Sequence, residues 1–323
     1  MMRRFFVLAF FLVEIYFPVP SAAAAYPDKP IRFVIPSAPG GSPDVLMRIL
    51  LAELSKQMGV AFVVENKPGA SFVIGTMDLV RAAPDGYTLG YGNIVSLAVN
   101  RSLLEKVPYD AERDLTLVSN VVRVYNMLAV NNSLPVRTVP ELIAYAKRNP
   151  GRLVMASAGN GTTGHLGGEL FKAMTGTFIL HVPYRGSAQA INDLMGGQVQ
   201  LMFDNVPSIG PHVKAGRVRG IAVSGPRRSP VFPEIPTVAE AGVPGYETIA
   251  WGGVIGPANL PKEIIARLHA EIRTALASPA LQERYRNLDT DIDGGTPEEF
   301  LALVRRETPK WATVVKRAGA KVD

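Results

Sequence analysis

Short apolar runs alternate along the chain with longer segments of helical spacing. Residues 31–35 (Ile-Arg-Phe-Val-Ile) read as a buried strand. Over residues 44–58, Leu46, Ile49, Leu50 and Leu54 fall on one helical face, and Gly59 closes the element. Residues 61–65 predict a second strand, 75–83 a second helix and 87–91 a third strand, with Pro84-Asp85-Gly86 as a turn. That alternation is the pattern of a mostly parallel sheet covered by helices, an α/β fold.

The pattern restarts after residue 125. Strands are expected at 127–131, 153–157, 178–182, 199–203 and 219–223, and helices at 142–148, 165–174 and 188–195. Thr138-Val-Pro-Glu141 is a capping box ahead of the first of these helices. Residues 225–246, rich in Pro and Gly, read as an irregular connection. Residues 249–255 are extended, and a helical C-terminal part follows Pro257. Thr296-Pro-Glu-Glu299 caps the last long helix, and Pro309 should kink it. A second α/β unit inserted into the first predicts two lobes, 26–124 plus 248–323 and 125–247. Crossovers near 123–127 and 248–254 would join them, with a ligand cleft between.

The first 25 residues change where this fold is expected to work. Arg3 and Arg4 precede the apolar stretch 5–20, and Ser21 to Ala25 are small. That is the order of a secretory signal peptide, cleaved after Ala25 or one residue earlier. The apolar run is too short to span a bilayer. The mature protein is expected in the periplasm, starting near Tyr26.

Composition mostly excludes. There is no cysteine among the 323 residues, which removes disulfides, thiolate metal sites and cysteine nucleophiles. The formal charge of +6 is spread thinly, with no dense basic run interleaved with aromatics, so nucleic acid is not an expected partner.

The clearest local chemistry is Ser157-Ala-Gly-Asn-Gly-Thr-Thr-Gly164-His165, between a predicted strand and helix. Gly159, Gly161 and Gly164 match G-x-G-x-x-G, but no acid lies about 20 residues on to hold a ribose, so a dinucleotide cofactor is not expected. What remains is a glycine-rich turn at a helix start, where free N–H groups and the helix dipole favour an anion. Ser157, Thr162 and Thr163 add hydroxyls, and Asn160 is an adjustable position. His165 either donates to a ligand or packs locally.

A similar loop, 36–44, follows the first strand. Gly40 and Gly41 permit close backbone approach, Ser42 reads as an N-cap and Pro43 as the first helical residue. The loop 66–75 follows the second strand, and all three could line one cleft. Asp204 ends a strand, where it either takes a ligand hydroxyl or amine or caps the helix near Pro207. Catalytic patterns are missing: there is no G-x-S-x-G, and the four histidines have no metal spacing, so neither an enzyme nor a metal site is expected. Asp291 and Asp293 resemble a fragment of a calcium loop but lack its closing glutamate, and read as a turn.

Many segments together resemble one family. They include Tyr26-Pro-Asp-Lys-Pro-Ile-Arg32, Pro39-Gly40-Gly41 with Asp44, Val64-Glu-Asn-Lys-Pro-Gly69 and Pro84-Asp-Gly-Tyr-Thr88. Also matching are 157–166, His181-Val-Pro-Tyr-Arg-Gly186, Asp193-Leu-Met-Gly-Gly-Gln-Val199, Met202-Phe-Asp204, Pro236-Thr-Val-Ala-Glu-Ala-Gly242 and Lys310-Trp311. From Tyr26 to Asp323 the chain is similar to substrate-binding proteins of the tripartite tricarboxylate transporter (Bug) family. The resemblance implies a type II periplasmic-binding-protein fold and a monomer without cofactor. It implies a small organic carboxylate ligand, handed to one large and one small membrane subunit. It also implies that Ser37, Gly40, Gly41 and Asp44 of one lobe, with Ser157, Gly161, Thr162 and Thr163 of the other, hold a ligand carboxylate. Where the family's third loop reads Pro-Gly-Ala-Gly-Gly, this chain has Ser71 and Phe72. Phe72 either narrows the cleft, favouring a flat and possibly aromatic ligand, or turns into the lobe core.

Overall fold

A computed structural model describes residues 26–320; the expected signal peptide lies outside the described residues. The first sheet is built on β1 (Ile31–Ile35), which pairs in parallel with β2 (Phe62–Asn66) and β3 (Thr88–Asn93). Only Arg32 of β1 is not buried, because helices cover both faces of the strand. Helix α1 (Ser42–Met58) joins β1 to β2, and α2 (Val73–Val80) joins β2 to β3. α1 starts one residue earlier than its sequence suggests. Gly41 is its N-cap and Ser42 lies inside it, with Pro43 still in the first turn.

After β3 comes a buried π-helical turn, Val95–Val99, running into α3 (Asn100–Leu103). Asn93 Oδ1 accepts the N–H groups of Val95 and Ser96 at 3.0 and 3.1 Å, which starts the turn. The sequence did not suggest this element, since a short stretch buried on every side has no amphipathic period to read.

β4 (Leu115–Val130) is the backbone of the molecule. Its sixteen residues span roughly 50 Å at the rise of an extended strand, enough to serve two sheets. Its first half lies antiparallel to β9 (Ile249–Pro257), giving the order β2-β1-β3-β9-β4. Its second half pairs antiparallel with β7 (Leu201–Asn205) and β8 (Arg219–Val223). β5 (Val154–Ser157) then lies parallel to β7, and β6 (Leu180–Pro183) parallel to β5. The order β6-β5-β7-β4-β8 repeats the plan of the first sheet. This is the two-lobed periplasmic-binding-protein architecture.

Sequence reading found only the last few residues of β4. Its first half carries Ser119 and Asn120, both buried, where alternation would place apolar residues. Both bond to β10 (Thr290–Gly295), with Asn120 Oδ1 left unpaired among the described residues. Ser119 Oγ donates to Gly295 O at 2.9 Å, and Asn120 Nδ2 to Asp293 Oδ2 at 2.5 Å. β10 also corrects the turn expected at Asp291 and Asp293. Its acids are viable in an antiparallel strand because β4 presents Arg123 and Tyr125 to them. Arg123 Nε meets Asp293 Oδ2 at 2.7 Å, and Tyr125 Oη donates to Asp291 Oδ2 at 2.8 Å.

Helices α4 (Val139–Arg148), α5 (Thr163–Thr175), α6 (Ser187–Met195) and α7 (Val206–Lys214) cover the second sheet. α8 (Lys262–Ala277) and α9 (Pro279–Asn287) cover one face of the first, where Leu46, Leu50, Leu268, Ile272 and Tyr285 form its core. α10 (Pro297–Ala318) opens with the expected capping box on Thr296 and Glu299 and runs as one helix through Pro309. Its Phe300 and Trp311 pack in a cluster that also takes Leu166 of α5, so apolar contact crosses between the lobes.

The β4–β9 crossover leaves no room for side chains at one point. A Cβ on Gly253 would sit 2.0 Å from the Ser119 carbonyl oxygen, which is backbone and has no rotamer to yield. Gly253→Ala should therefore lose on the order of 2 kcal/mol in urea unfolding. A loss below about 0.5 kcal/mol would show that the two strands can part at this point.

Candidate ligand-binding site

A cavity of about 600 Å³ lies between the two sheets, at the C-terminal ends of β1, β2, β5, β6 and β7. Five helices begin at its wall. Gly41 and Pro43 belong to the start of α1, Phe72 and Ile74 to α2, Thr162 and Thr163 to α5, Gly186 and Ser187 to α6, and Asn205 to α7. Each contributes backbone N–H groups without intrahelical partners and the positive end of a dipole. β3 and β9 supply Tyr91 and Trp251 to the apolar wall, and the start of the π-helical turn adds Ile94 and Val95.

The loop from β1 to α1 is held from behind by Asp44. Its Oδ2 accepts the N–H of Gly40 at 3.0 Å, while Oδ1 takes Arg48 Nε at 2.9 Å and Asn66 Nδ2 at 3.0 Å. Asn66 Nδ2 also donates to Ser37 O at 3.0 Å. Asp44 is thus occupied inside the loop, and Gly40 turns at φ +77°. Ser37 and Gly41 are the members of this group that line the cavity.

The glycine-rich loop rests on two histidines. Gly161 N–H donates to His165 Nδ1 at 3.0 Å, and Ser157 Oγ lies 2.7 Å from His181 Nε2. The rings stack at 4.2 Å between centroids. Burial pushes His165 down to about 4, helped by the Lys172 charge, and pushes His181 down to about 3, helped by His165 and Lys172. Both are neutral at pH 7, as the bond to His165 Nδ1 requires. Thr162 caps α5 by accepting His165 N–H at 3.3 Å, and its hydroxyl donates to Gly159 O at 2.7 Å.

His165, Glu169 and His181 place ligating atoms within 4.8 Å of one another. Those atoms are largely engaged: His181 Nε2 with Ser157, and Glu169 Oε1 with Lys172 Nζ at 2.6 Å. Near-parallel stacked rings also aim their lone pairs side by side rather than at a common centre, so the cluster reads as a scaffold. A Ser157–His181 nucleophile pair is equally poor. Ser157 is fully buried away from the cavity wall, and a histidine held near 3 is a weak base.

Of the residues singled out from sequence, Ser37, Gly41, Ser71, Phe72, Asn160, Thr162, Thr163 and Asp204 line one cavity. Gly40, Asp44, Ser157, Gly161 and His165 stand one layer behind, shaping the loops. Sequence reading missed Tyr91, Trp251 and the β6–α6 loop at Tyr184, Arg185, Gly186 and Ser187. That loop had a signal: it is a third strand-to-helix turn of the second lobe, within the segment His181 to Gly186.

Asp204 does not cap α7, whose N-cap is Asn205. Its Oδ1 accepts the Ser187 hydroxyl at 3.0 Å, and its Oδ2 is buried with no hydrogen-bond partner among the described residues. Burial pushes its carboxyl up to about 7 from the usual 3.8, partly offset by Ser187 and the Asn205 backbone. Ser37 Oγ and Trp251 Nε1, on the same wall, are likewise buried and unpaired. Three unsatisfied polar atoms buried just behind one cavity wall carry a desolvation cost.

Fold and cleft together define a two-lobed binding protein. Residues 46–320 match the model of the tripartite tricarboxylate transporter family receptor, and the chain belongs to that family. It is 36% identical over 323 residues to protein BugT of Bordetella pertussis, covering 100% of this chain and 99% of that one. Among solved structures it is similar to R. palustris Rpa4515 with adipate (38% identity, TM-score 0.90, 92% of this chain and 100% of that chain). It is also similar to MatC (Rpa3494) from Rhodopseudomonas palustris with bound malate (29% identity, TM-score 0.85, 90% and 100%).

The Asp204 shift makes stability depend on pH. The folded protein holds a proton that the unfolded chain releases above about pH 4, so stability falls as pH rises from there to about 7. Above that the ionised acid costs on the order of 4 kcal/mol without ligand. Asp204→Asn should unfold at higher urea than wild type at pH 8 and at similar urea at pH 4. Equal midpoints at pH 8 would mean that the charge is compensated.

Proposed function

We propose that this protein is the periplasmic receptor that captures a small organic carboxylate between its lobes and delivers it to the large and small membrane subunits of a tripartite transporter. The observation that carries this reading is the convergence of five helix N-termini on one cavity. Such a wall favours a carboxylate over a neutral or cationic solute without needing a dense cluster of basic side chains. Family membership supports the transport role, and relatives bound to adipate and malate support the ligand class. The lobes are 26–124 plus 248–323 and 125–247, and the protein works as a monomer. No helix among the described residues is long and apolar enough to cross a membrane, which suits a receptor that moves between solute and membrane partners.

The lobes meet at the cleft through loops made of small residues. A Cβ on Gly186 of the second lobe would lie 2.7 Å from Ala38 Cβ of the first, and one on Gly161 would lie 2.3 Å from Leu103 Cδ2. Such close approach is what a closed arrangement of the lobes requires. Calorimetry and thermal shift against adipate, malate, citrate and benzoate test the ligand class. A ligand at 100 times its Kd stabilises by about 2.7 kcal/mol, and small-angle scattering should show a smaller radius of gyration on saturation. Failure of every carboxylate to bind would overturn the reading. Gly161→Asp meets Leu103 in the closed form, needs a positive φ of +78° and sets a negative charge behind the loop. It should lose at least tenfold in affinity, about 1.4 kcal/mol, and unchanged affinity would place the carboxylate elsewhere.

Phe72 both lines the cavity and packs against the first-lobe cluster. Its ring therefore shapes the apolar end of the site. Phe72→Gly should weaken benzoate more than malate, since ring stacking is worth about 0.5–1.5 kcal/mol beyond buried area. An unchanged ranking of the four acids would assign Phe72 to packing alone.

A further inference from the structure

We propose that Asp204 takes up one proton from solvent as the ligand carboxylate enters the cleft, so that the ligand does not meet a second buried anion at the wall. This rests on the carboxylate-capture reading above. Geometry sets the requirement. Asp204 lies on the cavity wall; its Oδ1 is already occupied by the Ser187 hydroxyl, and its Oδ2 is buried behind that wall and unpaired among the described residues. The side chain is 4% exposed.

No neighbouring element neutralises it. Across β7, strand β4 offers Met127 opposite Asp204 and Asn126 opposite Asn205, and β5 offers Ala156 opposite Met202. α5 contributes His165, held neutral, while its Glu169 and Lys172 pair with each other. On α6 the acid Asp193 accepts the Tyr184 hydroxyl, and α7 carries His212 and Lys214 toward its far end. The charged side chains on the described cavity wall are Asp204 and Arg185, and Arg185 is exposed and makes no ion pair with Asp204.

A ligand carboxylate in this cavity would face an ionised Asp204 across a poorly solvated gap, and two such anions do not both stay charged. The ligand is held by five dipoles, so the acid yields. An O–H bond forms at Oδ2 as the buffer acid loses its proton, with no change of oxidation state. Burial has already raised the Asp204 carboxyl to about 7, so a nearby anion moves it through the range where most solutions are buffered.

The test uses the mature protein with adipate, malate and benzoate as probes. Calorimetry at pH 8 in two buffers of different ionisation enthalpy should show uptake close to one proton per ligand. Affinity should fall about tenfold from pH 6 to pH 8, the factor expected for an acid of about 7 that must be protonated. In Asp204→Asn both the uptake and the pH dependence should vanish. Infrared difference spectra of the wild type at pH 8 should gain a protonated-carboxyl band on ligand addition, which needs no variant. Binding without buffer dependence and without that band would overturn the proton coupling, because Asp204 would then keep one protonation state through binding. Failure of all three probes to bind would overturn the capture reading itself and the coupling with it.

Discussion

The antiparallel pairing of β4 with β9 is the constraint from which the cleft is laid out. β4 is hydrogen-bonded into the first sheet along one half and into the second along the other, and β9 follows it from Tyr125 to Leu115. The lobes therefore share a continuous ladder. Register shifts in that ladder fall between Leu117 and Ser119 and between Asn120 and Val122. Bulges of this kind bend and twist a strand where a smooth sheet would continue flat. Gly252 and Gly253 of β9 lie opposite them, where the Tyr91 ring and the Ser119 carbonyl crowd out any Cβ. The same ladder places the C-terminal ends of both parallel sets face to face, and each of those ends feeds a helix.

That convergence sets the electrostatics of the site. A cleft dressed with lysines would bind many anions and would be screened by salt. One lined by helix N-termini presents partial charges at fixed positions and keeps them buried. The supporting side chains follow the same rule. Asp44, an acid at a helix start, is spent on the loop backbone and on Arg48 rather than facing the ligand. The stacked histidines are held neutral, so they accept or share hydrogen bonds without adding charge beneath the glycine-rich loop. By contrast, the exposed pair Arg227–Asp291, between the second lobe and β10, is of the type worth little by itself.

Much of this was legible in the sequence because the parallel strands and their helices obey simple periods. The strand-to-helix turns carry glycines and hydroxyl residues where local physics wants them, and that marked three of the loops at the cleft. Other features depended on distant partners. Buried Ser119 and Asn120 disguise the first half of β4 until β10 is known to accept from both of them. Asp291 and Asp293 look like turn residues until Arg123 and Tyr125 lie across from them. Tyr91 and Trp251 line the cavity from strand interiors, and no local signal separates them from ordinary core aromatics. Whether a polar residue faces the ligand or props up the loop behind it, as Asp44, Ser157 and His165 do, is decided by hydrogen bonds across the fold.

The loop before α2 breaks a local rule. Ala70, Ser71 and Phe72 all adopt positive φ, at 44°, 50° and 70°, in a region that side chains with a Cβ enter at a cost of roughly 1–2 kcal/mol each. Glycine would sit there without strain. The conformation is instead held by its surroundings. Asn100 Nδ2 donates to Ser71 O at 2.8 Å, and Thr76 gives both its hydroxyl and its N–H to Phe72 O at 2.9 and 3.1 Å. These bonds link the loop to α3 and to the first turn of α2. A strained backbone kept by three hydrogen bonds, with an aromatic ring on the cavity wall, is the kind of conflict that functional sites retain. Its consequence is geometric. The backbone that carries the ring cannot move without releasing those bonds, so the ring is anchored at a fixed point of the cavity wall.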